Sequence, residues 1–280
     1  QVFSVQNPKS RDFLNAYVYH HLLKEEGVLT NEYRFIELFV NEESWGIYCL
    51  EEHLTDRMIS QQNKPRGVIL KFKDDVYFDA AIDSLETTGL IKKSKVKVYG
   101  AAKKQDEYNP LVYKAKKVMQ DYQYQKDGVY SHFDSSIAGR YYALCDLATA
   151  YHAMGWINIR FYFNFETEKM EPIGYDATPY GGMALAIYRA RYVDSIRTGP
   201  VFLKRSFEDS EFEEKYLLEL ERISKKEYLD SMIVKIQPDM DRVMNILRSE
   251  FPGLEYTTDH LYERQDEIRI AVGQLRNSQE

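Results

Sequence analysis

The sequence predicts an α+β fold, β-rich in its first part and helical in its last. Three observations carry that reading. Up to residue 73, short runs rich in β-branched and aromatic residues are separated by turn residues. After Pro200 every segment shows helical amphipathicity and none reads as a strand. Between them, residues 74–135 are less regular. Strands followed by helices, rather than alternating with them, is the order expected of an α+β chain. The 280 residues allow one large domain or two lobes. The divisions drawn are a β-rich N-terminal lobe over 1–73, a helical insertion or linking region over 74–135, and a C-terminal lobe over 136–280.

Taken in order, "QVFSVQ" reads as a strand and "NPKS" as a turn. Asp12 to Glu26 reads as a helix, because Phe13, Leu14, Tyr17, Val18, His21 and Leu22 share one helical face. Ser10 is its expected N-cap and Gly27 its stop. "YRFIELFV" and "WGIYCLEEH", joined by "NEES", form a hairpin. "LTDRMISQQ" is a short helix and "GVILKFKDD" a strand. "KKSKVKV" reads as a solvated edge strand with protective lysines. "FDAAIDSLETTGL" and "NPLVYKAKKVMQDYQYQKDG" carry helical spacing. Ser136 to Met154 reads as one long buried helix. "IRFYFNFETEKMEPIGYD" is a second hairpin, strands 159–165 and 170–175 around "TEK". Four helices follow, with Pro238 at the start of the third, where its missing N–H is harmless.

Composition excludes several classes. The chain is 44% hydrophobic and 29% charged, sufficient for a core without staples. A net charge of −7, spread along the chain, argues against a nucleic-acid partner. Two cysteines, Cys49 and Cys145, give neither a metal site nor a disulfide framework and read as small buried hydrophobes. No run approaches the roughly 20 apolar residues of a membrane-spanning helix. No signal peptide is visible. The chain opens on Gln1 inside an alternating strand, so residues upstream are expected, with room there for an export signal or anchor.

P-loop, dinucleotide fingerprint, serine elbow and HExxH motifs are all absent. What remains is a buried helix, then Asn158, a hairpin, then Asp176. That order matches the segment with which protein kinases hold Mg²⁺ against nucleotide phosphates. Magnesium takes hard oxygen ligands and uses few protein groups. One amide oxygen and one carboxylate at the two ends of a rigid hairpin suit it. The same two residue types also merely terminate strands.

Several stretches, in order, resemble the CotH-type kinase family (spore coat protein H and its bacterial relatives). These are "SVQNPKSRDFLNAYVYHHLLKEEGV", "YRFIELFVNEESWGIYCLEEHLTDRMI", "GWINIRFYFNFETEKMEPIGYDATPYG" and "FLKRSFEDSEFEEKYLLELERIS". Nearly the whole chain is covered, residues 74–135 least. The resemblance implies a two-lobed kinase-like fold, β-rich lobe first and truncated at its start, then a largely helical lobe. It implies ATP with Mg²⁺ or Mn²⁺ as cofactors, Asn158 and Asp176 as metal ligands, and Asp176 as a catalytic residue. Glu51 falls where the lobes join and implies a nucleotide role, with the backbone of Leu50 to His53 facing the adenine; Glu51 and Glu52 are otherwise solvated acids at a strand end. The family's base Asp before the Asn is missing from "YHAMGWIN". His152 is the only ionisable candidate there, and a helix histidine satisfied by a backbone carbonyl is the reading preferred. Where relatives often carry a second Asp, Ala177 and Thr178 follow Asp176. Arg11 and Lys71 are the substitutes available for the phosphate-binding cation; each is otherwise a surface charge.

The expected activity is phosphoryl transfer from ATP to a hydroxyl of a secreted or cell-envelope protein, the acceptor unidentified. The alternative is a pseudokinase-like scaffold at the envelope. A third reading, a glycan or protein binding module, rests on 23 Tyr and 14 Phe and requires an apolar or aromatic cleft away from Asp176.

Overall fold

The first hairpin sets the edge of the N-terminal sheet. β1 (Phe3–Gln6) pairs antiparallel with β3 (Glu43–Glu52), which pairs in turn with β2 (Tyr33–Val40). The hairpin turns on Asn41 and Glu42 alone, at φ 52° and 69°. Two left-handed residues twist a two-residue turn to match its strands, so the second strand starts at Glu43, before the Trp45 expected. Gly46, at φ 88°, accompanies the register shift between Leu38 and Phe39. The computed structural model describes residues 3–73, 93–99, 109–177, 184–192 and 206–277. The stretch "FDAAIDSLETTGL" lies outside them.

α1 (Leu14–Glu25) begins later than the sequence suggests, after a 3₁₀ turn over Pro8–Arg11. Asp12 is left-handed and Phe13 also has a positive φ of 50°, so Phe13 and not Ser10 stands at the cap. Ser10 instead donates to the Asn7 carbonyl at 2.7 Å inside the 3₁₀ turn. Gly27, at φ 70°, ends α1 as expected, with the Val28 amide donating to the Leu23 carbonyl. α2 (Asp56–Gln61) is capped by Thr55.

The second sheet is antiparallel throughout and runs β5-β4-β6-β7. Its strands are β4 (Gly67–Phe72), β5 (Val96–Val98), β6 (Arg160–Asn164) and β7 (Met170–Ile173). β5 is the edge strand that "KKSKVKV" predicts. β4, β6 and β7 are buried along their length. One face packs Val68, Leu70, Phe72, Phe161 and Phe163 on α3 (Pro110–Gln123). The other packs Ile69, Tyr162 and Ile173 on Leu29, Leu54 and Met58.

α4 (Ser135–Leu147), capped by Asp134, is the central helix of the largest core cluster. It stops seven residues short of Met154. Thr149 turns left-handed at φ 51°, the Ala150 amide closes on the Cys145 carbonyl, and a separate 3₁₀ turn follows over Tyr151–Met154. α5 (Ala186–Tyr192), α6 (Ser210–Ile223), α7 (Lys226–Glu250) and α8 (Asp259–Asn277) complete the described residues. Pro238 lies inside α7 rather than at a helix start. The carbonyl it leaves without its helical donor belongs to Val234, which is 74% exposed, on the solvent side of the helix. Cys49 and Cys145 are both buried and free.

Candidate functional site

The segment before Asn158 folds onto itself. Gly155 donates to the His152 carbonyl at 3.1 Å, and Asn158 and Ile159 donate to the Gly155 carbonyl at 2.8 and 2.7 Å. This brings the Asn158 side chain back to His152. Its Nδ2 donates to the His152 carbonyl at 3.2 Å and lies 3.1 Å from the ring Nδ1. Asn158 is 8% exposed. Its Oδ1 has no protein partner among the described residues.

Asp176 arrives from the far end of the hairpin. Gly174 donates to the Leu29 carbonyl at 2.7 Å and forms a parallel bridge with Thr30. A Cβ at Gly174 would fall on Leu23 Cδ1 and Thr30 Oγ1, so only glycine permits this approach. Asp176 then adopts φ 50°, a left-handed conformation that Asp tolerates better than most residues. Its Oδ2 lies 2.8 Å from His152 Nδ1, and its Oδ1 accepts from the Arg11 guanidinium. Burial pushes the Asp176 carboxyl up; the hydrogen bond from His152 and the charge of Arg11 outweigh it and hold the group down at about 2.

Arg11 is therefore a partner of Asp176 and not a surface charge. Its Nε also donates to Gln6 Oε1. Glu51 sits beside it and is only 5% exposed, which removes the solvated-acid reading for that residue. Glu51 accepts from Asn31 Nδ2 at 2.9 Å and from Gln6 Nε2 at 3.3 Å. Burial raises its pKa, while Arg11 and the Asn31 hydrogen bond pull the other way. Glu52 is nearer the surface and takes Arg34 at 3.0 Å. Lys71 is 7% exposed and lies 5.9 Å over the Tyr99 ring. It faces Arg160 in register across β4 and β6, on the sheet face that packs against Leu54 just beyond β3.

Thus Arg11, Glu51, His152, Asn158 and Asp176, each singled out from the sequence, lie in one chain of contacts or charges. Lys71 stands two strands from Asp176's hairpin exit. His152 is in the 3₁₀ turn, not in a helix, and its ring is paired with Asp176. Asn31, Gln6, Tyr175 and Arg160 are additional, and nothing in their local sequence marks them.

By residue type the donor set suits a divalent metal held with nucleotide phosphates, one carboxylate and one amide; the Asp176 carboxylate and the Asn158 amide nitrogen both lie against the same imidazole. The described residues contain no group of three His, Cys, Asp or Glu that could hold a metal alone. A cleft of about 600 Å³ opens behind the Thr149 turn, between Asp12, Tyr256 and Arg264. Its lining is mixed, the acids Asp12, Glu255, Glu263 and Glu267 alternating with Tyr19, Tyr256, Val18 and Leu261. Many aromatic residues stack on one another inside the core, as Tyr122, Phe133 and Phe161 do, while Phe3, Phe39, Trp45, Tyr113 and Tyr124 are exposed.

Two antiparallel sheets, the second closed by the Asn–hairpin–Asp segment, followed by a run of helices, make up a protein of kinase-like fold. The family model described as CotH kinase protein matches residues 10–277, and the chain belongs to that family. No curated protein matches the chain. No described helix is long and apolar enough to cross a membrane.

Proposed function

We propose that this protein binds ATP with Mg²⁺ or Mn²⁺ at the Asn158–Asp176 pair and transfers the γ-phosphoryl group to a hydroxyl of a secreted or cell-envelope protein. The observation that carries the proposal is the meeting of Asn158 and Asp176 at His152, from opposite ends of a hairpin. Asn158 Oδ1 and an Asp176 oxygen would hold the metal, which when bound neutralises charge on the phosphate oxygens. Arg11 would then leave Asp176 for the phosphates, and Lys71 supplies a second cation. Leu50 to His53 would border the base.

His152 takes the place of the absent base Asp. With Nδ1–H donating to Asp176, Nε2 is the ring acceptor; it lies 3.3 Å from Asn158 Nδ2 and would take the proton of the incoming hydroxyl once that amide turns to the metal. Its side chain is 39% exposed, so an acceptor can approach it. The competing reading is a scaffold that binds nucleotide without transfer. It is favoured by the lack of any carboxylate in "YHAMGWI" and by the occupation of both Asp176 oxygens.

Incubation with γ-labelled ATP and an envelope-protein extract separates the two. Transfer by the native protein, cut roughly 10²–10⁴-fold in His152→Ala, supports the kinase. Nucleotide binding without labelled product under Mg²⁺ or Mn²⁺ establishes the scaffold.

A further inference from the structure

We infer that Arg160 is a positioning residue that holds Asn158 in register with Asp176. The inference rests on the metal-binding reading above. Arg160 opens β6, two residues after Asn158, and is 3% exposed. One nitrogen, Nη1, donates to the carbonyls of Ile157 at 2.7 Å and Ile159 at 3.2 Å. Those carbonyls flank Asn158 on both sides, so the side chain clamps the peptide units that aim the amide. The guanidinium carbon lies 4.5 Å from the centroid of the ring of Tyr175, the residue before Asp176. A single side chain therefore touches the immediate neighbours of both metal-ligand candidates.

A burial so complete is costly for a cation. Among the described residues Arg160 has no carboxylate within ion-pair distance, and its Nε has no hydrogen-bond partner. Glu51 acts on it only through space. A buried guanidinium without a paired anion is retained against its desolvation cost. An arginine that merely filled space here would be better replaced by an apolar residue. What Arg160 supplies and an apolar residue cannot is the double carbonyl clamp together with a cation over the Tyr175 ring. Groups that orient metal ligands without touching the metal typically contribute ten- to hundredfold to affinity.

The test is a Mn²⁺ titration followed by electron paramagnetic resonance, with a non-hydrolysable ATP analogue present throughout. The proteins are the native chain, Arg160→Met, Arg160→Lys, Tyr175→Leu and Asp176→Ala, with urea midpoints measured alongside. Arg160→Met and Tyr175→Leu are expected to weaken Mn²⁺ binding about tenfold or more, and Arg160→Lys by less, since an ammonium can still meet a carbonyl. A purely structural role would lower the urea midpoint and leave the affinity of the folded protein unchanged; that result overturns the inference. If Arg160→Met does not fold, native affinity in both Arg160→Lys and Tyr175→Leu overturns it equally. Loss of Mn²⁺ in Asp176→Ala with native affinity in the other variants defeats only the positioning role. Native affinity in Asp176→Ala defeats the metal assignment and this inference with it.

Discussion

Asp176 holds a guanidinium on one carboxylate oxygen and an imidazole on the other, which is why its pKa lies low. Asp146 in α4 shows the opposite case. It is fully buried, and burial raises its pKa to about 6 although Tyr216, Arg264 and the Ala186 amide pull it down. A carboxyl raised in the folded state binds its proton more tightly there than in the unfolded chain. Stability should therefore rise as pH falls from about 6 toward the ordinary value of 3.8. Asp146→Asn keeps an oxygen for the Ala186 amide and should remove on the order of 2 kcal/mol of that rise, read from urea unfolding between pH 6.5 and 4.5. Native pH dependence in the variant would contradict the assignment. Asp176 acts in the other direction and only lower, its stabilisation being lost as pH falls from 3.8 toward 2. At this scale the sequence singled out Asn158 and Asp176 as candidates through their spacing around a hairpin. It did not reveal Arg160 or Asn31, because a buried arginine clamping its own neighbours looks like any charge in a strand.

Elements are positioned by a few backbone decisions. Gly174 lets β7 lie against Leu29 and Thr30, and so sets where Asp176 begins. Gly174→Ala should destabilise the fold by about 1–3 kcal/mol through overpacking and weaken nucleotide binding in the folded fraction. Calorimetric melting with and without Mg·ATP checks both effects; an unchanged midpoint would refute the close approach. Pro238 costs α7 a hydrogen bond on its exposed side. Pro238→Ala should raise stability, by up to about 3 kcal/mol, without changing nucleotide affinity. The sequence misplaced Pro238 and the end of α4 for physical reasons. Proline is commonest at helix starts, and threonine is rare in the left-handed position that ends α4 at Thr149. The hairpins were legible because alternation and turn residues coincided there. The fully buried β4 has no alternation, so its partner β6 could not be read from it.

At the scale of the molecule, β4–β6 pairing and Glu250, which accepts from the Ile47 amide, tie the β-rich part to the helical part. The order of β-rich and helical parts was visible in the sequence, and the family match over residues 10–277 agrees with it. The meeting of Arg11, Glu51, His152, Asn158 and Asp176 depends on contacts spanning up to 165 residues, which local patterns do not encode. That meeting is also what makes the site testable. The most direct measurement is calorimetric titration of ATP into the native protein and into Asp176→Ala, each with Mg²⁺ and with Mg²⁺ chelated. The account predicts ATP binding that requires Mg²⁺ in the native protein and is lost or strongly weakened in Asp176→Ala. Equal, Mg²⁺-dependent binding by the two proteins would contradict it.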